Sequence, residues 1–127
     1  MKIKLASILV NNQDKALRFY TEILGFAKKS DIAMGEARWL TVVSKEDPDA
    51  IELLLEPLGF EPARTYQQAL FEADIPATAF AVDDIEAEYE RMKKLGVRFK
   101  SEPTLSGPVA MAVFDDTCGN LIELYQV

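Results

Sequence analysis

Two short stretches, "IELLLEP" at 51–57 and "IELYQV" at 122–127, each set a glutamate between large aliphatic residues. The two acids, Glu52 and Glu123, lie 71 positions apart. A carboxylate in apolar company is costly to bury alone, so each requires water, a partner or a ligand. If both stretches are strands, side chains alternate. Ile51, Leu53 and Leu55 then face opposite to Glu52, Leu54 and Glu56, and Ile122 and Leu124 face opposite to Leu121, Glu123 and Tyr125. With the Ile/Leu faces packed under helices, the acids line the other side of the sheet. Two carboxylates held near each other make an acid/base pair suited to proton transfer. They can also hold a hard cation such as Mg²⁺ weakly, with waters completing its shell. The plainer alternative is that they are solvated or paired with lysine or arginine and do no chemistry.

The segments that must position these acids repeat along the chain. "VNNQDKALRFYTEILGF" from Val10 and "VDDIEAEYERMKKLGVRF" from Val82 both leave a strand, pass two polar residues and run as an amphipathic helix to a Leu-Gly stop. Leu17, Tyr20 and Leu24 follow helical spacing, as do Ile85, Tyr89, Met92 and Leu95. Asn12 and Asp84 suit the N-cap, and Gly25 and Gly96 the residue after the last turn. The spacing predicts strand, helix, short strand, longer strand and final strand in each module. In the first these fall near 2–10, 13–24, 25–29, 36–43 and 50–56; in the second, near 76–82, 84–95, 97–100, 107–114 and 120–126. The expected architecture is α+β, two tandem β-α-β-β-β modules forming one curved mixed sheet system around a cleft. Residues 1–127 make one domain of two modules, about 1–56 and 76–127. They are joined by a linker, 57–75, in which 64–73 reads as helix and Pro57, Pro62 and Pro76 punctuate.

A length of 127 residues suits one domain with a real core, whereas each half alone is small for one. The net charge of −7 argues against a nucleic-acid or anionic-membrane partner. The apolar run in "MKIKLASILV" is too short for a signal peptide, and no segment approaches transmembrane length. A lone cysteine, Cys118, fits a reducing compartment, so a cytoplasmic protein is expected. Cys118 reads as a small residue near a turn rather than a nucleophile, since no histidine exists to activate it.

With these pieces in order, the chain resembles the vicinal oxygen chelate superfamily, the glyoxalase / bleomycin-resistance / dioxygenase group. "DKALRFYTEILGF" (14–26) is similar to that family's helix ending in Phe-Tyr-x-x-x-Leu-Gly-Phe. "FDDTCGNLIEL" (114–124) is similar to its Asp-Pro-x-Gly-Asn turn before the last strand, with Thr117 in place of the proline. In metal-dependent members each module supplies one ligand from its first strand and one from its last. The resemblance carries the last-strand positions onto Glu52 and Glu123, and the first-strand positions onto Leu5 and Ala77. Neither Leu5 nor Ala77 has a donor atom, and the chain contains no histidine, which argues against glyoxalase I and extradiol dioxygenase chemistry.

The candidate ligand-binding residues are therefore Leu5, Ser7, Trp39, Glu52, Leu54, Ala77, Ala79, Glu123 and Tyr125. Small alanines leave room for a pocket, and Tyr125 and Trp39 offer flat walls. Both faces of "RWLTVV" are apolar, so the side on which Trp39 lies stays open. The first reading is a metal-free protein that sequesters a small ligand in an acidic cleft, with no cofactor. The second is a lyase or isomerase using Glu52 and Glu123 as acid and base, or as a weak site for a divalent metal such as Mg²⁺. The third is a dimerisation module with a vestigial cleft. The resemblance also implies a homodimer.

Overall fold

Asn12 begins the first helix as its side chain accepts from the Lys15 amide at 2.9 Å, and Asp84 caps its repeat by accepting from the Ala87 amide at 3.1 Å. Both caps satisfy amides that have no partner within the first helical turn. The computed structural model describes residues 1–127. They form two compact units, Met1–Arg64 and Thr65–Val127.

The first unit runs β1 (Leu5–Val10), α1 (Gln13–Arg18), β2 (Ala27–Met34), β3 (Ala37–Val43) and β4 (Glu52–Pro57). Its sheet has the order β1-β4-β3-β2, parallel between β1 and β4 and antiparallel elsewhere. Ile8, Val10, Leu40, Val42 and Leu55 are buried with Ala16 of α1, so one sheet face packs under the helix. The second unit runs β5 (Thr78–Ala81), α3 (Ile85–Lys94), β6 (Thr104–Ser106), β7 (Val109–Asp115) and β8 (Leu121–Gln126), in the sheet order β5-β8-β7-β6. Ile85, Tyr89 and Met92 of α3 are buried, as are Ala112, Phe114, Ile122 and Leu124 of the sheet. Helix α2 (Glu61–Glu72) runs from the first unit into the second. The β-α-β-β-β order expected of each module is present in both, as two four-stranded mixed sheets with three helices. No helix is long and apolar enough to cross a membrane.

Several expected boundaries shift, each for a local reason. The 13–24 helix is not uniform. After α1, residues Phe19–Ile23 form a π turn, with the Leu24 amide reaching Phe19 O at 3.1 Å. The Thr21 hydroxyl donates to Leu17 O at 2.6 Å and competes for the ladder. The widened turn buries two successive aromatics, Phe19 and Tyr20. The strand expected at 25–29 becomes β2, because Gly25 at φ +88° and the Phe26 amide, bonded to Tyr20 O, still close the helix. β2 then extends to the turn at Gly35. Residues 97–100 make only an isolated bridge, Phe99 to Phe114, and pairing resumes in β6 after Pro103. Phe99 is held by ring contacts to Tyr89 and Phe114, with centroids 4.7 and 5.7 Å away. Helix α2 begins a turn earlier than expected, since Pro62 falls in its first turn, where no amide is needed. Ile51, expected under a helix, precedes β4 and is 48% exposed.

Arg38 ties β3 to its surroundings on the helix side. Its Nε and Nη2 donate to Asp31 Oδ1 and Oδ2, both at 3.0 Å, and Nη1 donates to Asp14. The hydrogen bond from Arg38 holds the Asp31 carboxyl below its ordinary range; desolvation opposes this, and attraction to Arg38 and Lys28 adds to it. Bonding to Asp31 likewise raises the Arg38 guanidinium. A depressed folded-state value means that the stabilisation is complete above the unfolded value and is lost as pH falls through the folded one. NMR titration should therefore find Asp31 protonating at lower pH than an ordinary aspartate. Arg38→Met should move it up toward the ordinary range, with Lys28 still beside it, and an unchanged midpoint in that variant would contradict the pairing.

Candidate functional site

In the first unit the register fixes which side chains share a face. Leu5 pairs with Glu52 and Ser7 with Leu54 across β1 and β4, while Thr41 of β3 pairs with Leu54. Trp39 lies two residues from Thr41 and pairs with Ile32 of β2. Leu5, Ser7, Glu52, Leu54, Thr41, Trp39 and Ile32 therefore stand on one side of the sheet, opposite the face under α1. The open question about Trp39 is settled here: it shares the face of Glu52. This face is wet and apolar at once. Leu5 is 43% and Ile32 58% exposed, while Glu52, Leu54 and Trp39 are half-buried.

Glu52 is held by a side chain that sequence reasoning missed. The Thr41 hydroxyl is fully buried and donates to Glu52 Oε1 at 2.8 Å. Thr41 Oγ1 in turn accepts from the Ser30 amide at 3.1 Å. Ser30 is the ladder partner of Thr41 and lies next to a register shift in β2 between Lys28 and Ser30. The available signal was Thr41 itself, the one polar residue in the apolar run "WLTVV".

In the second unit Glu123 is flanked by Ala79 of β5 and Val113 of β7, and Tyr125 by Ala81 and Met111. Ala77 precedes β5 but keeps the register, its amide donating to Leu121 O at 2.8 Å. Ala77, Ala79 and Ala81 are exposed, and Glu123 and Tyr125 are half-buried. Small residues on the edge strand leave one flank of Glu123 open. Neither Glu52 nor Glu123 forms an ion pair, so neither is bound to an internal lysine or arginine.

The turn that launches β8 is built around Asp116. This buried carboxylate accepts from the Cys118 and Asn120 amides at 2.7 and 3.0 Å through Oδ1, and from Asn120 Nδ2 at 2.8 Å through Oδ2. Gln67 of α2, also buried, donates to Cys118 O and Asn120 Oδ1, each at 3.2 Å. Thr117 takes a left-handed conformation, φ +63°, which a proline ring locked near −65° cannot adopt. Thr117 is therefore suited to this turn in a way that the proline of the similar motif is not. Cys118 is wholly buried inside the turn.

Of the four positions that the resemblance assigns to metal ligands, Leu5 and Ala77 offer no donor atom and Glu52 and Glu123 offer only carboxylate oxygens. Such a set does not fit zinc, nickel or iron, which favour imidazole or thiolate. No three His, Cys, Asp or Glu side chains gather in a metal-holding group.

Comparison with known proteins agrees with the architecture. The uncharacterized protein YurT of Bacillus subtilis (strain 168) is 56% identical over 126 residues, with 99% of each chain covered. The crystal structure of UcmS2 superimposes with a TM-score of 0.83 at 33% identity, covering 98% of this chain and 97% of that one. TnmS3, an antibiotic binding protein from Streptomyces sp. CB03234, does so with a TM-score of 0.78 at 28% identity, covering 99% and 95%. The sequence profile of one family matches residues 2–124, nearly the whole chain. The chain belongs to the Glyoxalase/Bleomycin resistance protein/Dioxygenase superfamily.

Proposed function

We propose that this chain is a metal-free small-molecule-binding protein. Its principal ligand surface is the Glu52 face of the first sheet, formed with Leu5, Ser7, Trp39 and Leu54. The Glu123 face of the second sheet, with Ala77, Ala79 and Tyr125, repeats that chemistry. One observation carries the reading: Glu52 is a half-buried carboxylate with no cationic partner, set among apolar side chains that are themselves partly open. A ligand that covers the apolar groups and donates to the acid removes both mismatches. The similarity to TnmS3, an antibiotic binding protein, supports the same class of activity.

The test is a thermal-shift screen with planar and cationic small molecules, followed through the fluorescence of Trp39, the single tryptophan. A ligand at a hundred times its dissociation constant stabilises the folded state by about 2.7 kcal/mol, enough to raise the midpoint by several degrees. At least one compound class should produce that shift together with a change in Trp39 emission. No shift and no change across the panel would overturn the reading. The metal-free part has its own measurement. Protein purified without added metal should contain well under one transition-metal ion per chain by elemental analysis, and one tightly held ion per chain would contradict it.

A further inference from the structure

The contacts around Glu52 say what kind of group it is set to receive. Thr41 Oγ1 carries one proton and accepts the Ser30 amide at 3.1 Å. Being wholly buried, it has no water to bond, and its proton is committed to Glu52 Oε1 at 2.8 Å. At that oxygen the carboxyl group acts as an acceptor, and its conformation is fixed from behind by a rigid strand residue. Oε2 has no partner within the chain. No lysine or arginine neutralises the group. The apolar side chains of Leu54, Trp39 and Ile32 share this face.

Resting on the binding role above, we propose that Thr41 is a positioning residue that holds Glu52 as a preorganised acceptor. The ligand group it selects is a hydrogen-bond-donating cation, an ammonium or amidinium carried on an apolar or aromatic body. An anionic isostere meets an uncompensated carboxylate and is rejected. A neutral isostere keeps the apolar contacts and one hydrogen bond to the carboxylate, and loses the attraction between opposite charges. Preorganisation matters because a glutamate left free must be ordered when the ligand binds.

The experiment uses naphthylmethylammonium, naphthylmethanol and naphthoate as probes of similar shape, with binding followed by the indole N–H resonance of Trp39. In wild type the ammonium should bind roughly tenfold more tightly than the alcohol, through the added attraction of its charge to the carboxylate, and naphthoate most weakly. Glu52→Gln should abolish that preference, weakening naphthylmethylammonium binding far more than naphthylmethanol binding. Thr41→Val should weaken ammonium binding about threefold, the ordering cost of one long side chain. Thr41→Ser should restore it, and adding Thr41→Val to Glu52→Gln should change nothing further. A general structural role for Thr41 predicts equal loss for ammonium and alcohol, which would overturn the proposal. So would failure of Thr41→Ser to rescue. If Thr41→Val does not fold, the wild type and Glu52→Gln still decide: a preference that survives Glu52→Gln overturns the proposal. Equal affinity for ammonium and alcohol in wild type sinks this inference and leaves the binding function standing. No saturable shift of Trp39 with any of the three overturns both.

Discussion

Asp116→Ala should destabilise the protein by about 3–5 kcal/mol, lowering its thermal midpoint by more than about 10 °C. The substitution removes the acceptor of two backbone amides and of Asn120 Nδ2, all inside the turn before β8. Buried donors left without acceptors lose their bonds to water and gain nothing in return. Asp116→Asn should cost less, about 1–3 kcal/mol. Its remaining oxygen still serves the Cys118 and Asn120 amides, whereas its NH₂ confronts Asn120 Nδ2. Asn120 cannot simply flip, because its Oδ1 accepts from Gln67. The order Ala worse than Asn is the specific expectation, and calorimetric midpoints of the two variants check it. Equal, small losses would mean that the turn does not depend on this carboxylate.

Gly119→Ala should cost roughly 2–4 kcal/mol. Gly119 sits at φ +101°, where a side chain is strained. A Cβ there would lie 2.6 Å from Gln67 Oε1 and 2.7 Å from Gln67 Cδ. Gln67 is long but not free to swing aside, since its amide is buried and bonded to Cys118 and Asn120. Pairing Gly119→Ala with Gln67→Ala should recover part of the loss by removing the clash, leaving the backbone strain. Urea midpoints of the two single variants and the double variant give that coupling, and strict additivity would contradict the contact.

How much of this was legible in the sequence follows the range of the interactions. The caps at Asn12 and Asp84 and the stops at Gly25 and Gly96 are decided within one helical turn, and they stand where local chemistry puts them. The faces of β4 and β8 follow from alternation alone, so Glu52 and Leu54 part from Leu55, and Glu123 from Ile122 and Leu124. Trp39 could not be placed that way, because both faces of its strand are apolar; the pairing of Thr41 with Leu54 decides it. The Thr41–Glu52 hydrogen bond was illegible for the same reason, depending on strand register and on an irregularity near Ser30. Residues 97–100 misled because Phe99 and its neighbours have strand-like composition. They pair with β7 at one point only, the Lys100 amide donating to Val113 O and the Asp115 amide to Arg98 O, while aromatic packing holds the Phe99 ring. The π turn at Phe19–Ile23 has no local signature beyond Thr21, whose hydroxyl satisfies Leu17 O.

The central claim is that Glu52 and Glu123 are kept for a ligand and not for the fold, and it can be tested before any ligand is known. The measurement is the urea denaturation midpoint of Glu52→Gln and of Glu123→Gln beside wild type. Gln at position 52 retains an oxygen to accept from Thr41, and Glu123 has no ion pair to lose. Both variants should therefore stay within about 1 kcal/mol of wild type, or rise slightly as desolvation of the charge is relieved. A loss of about 3 kcal/mol or more in both would make the two acids structural and would contradict their assignment to ligand binding.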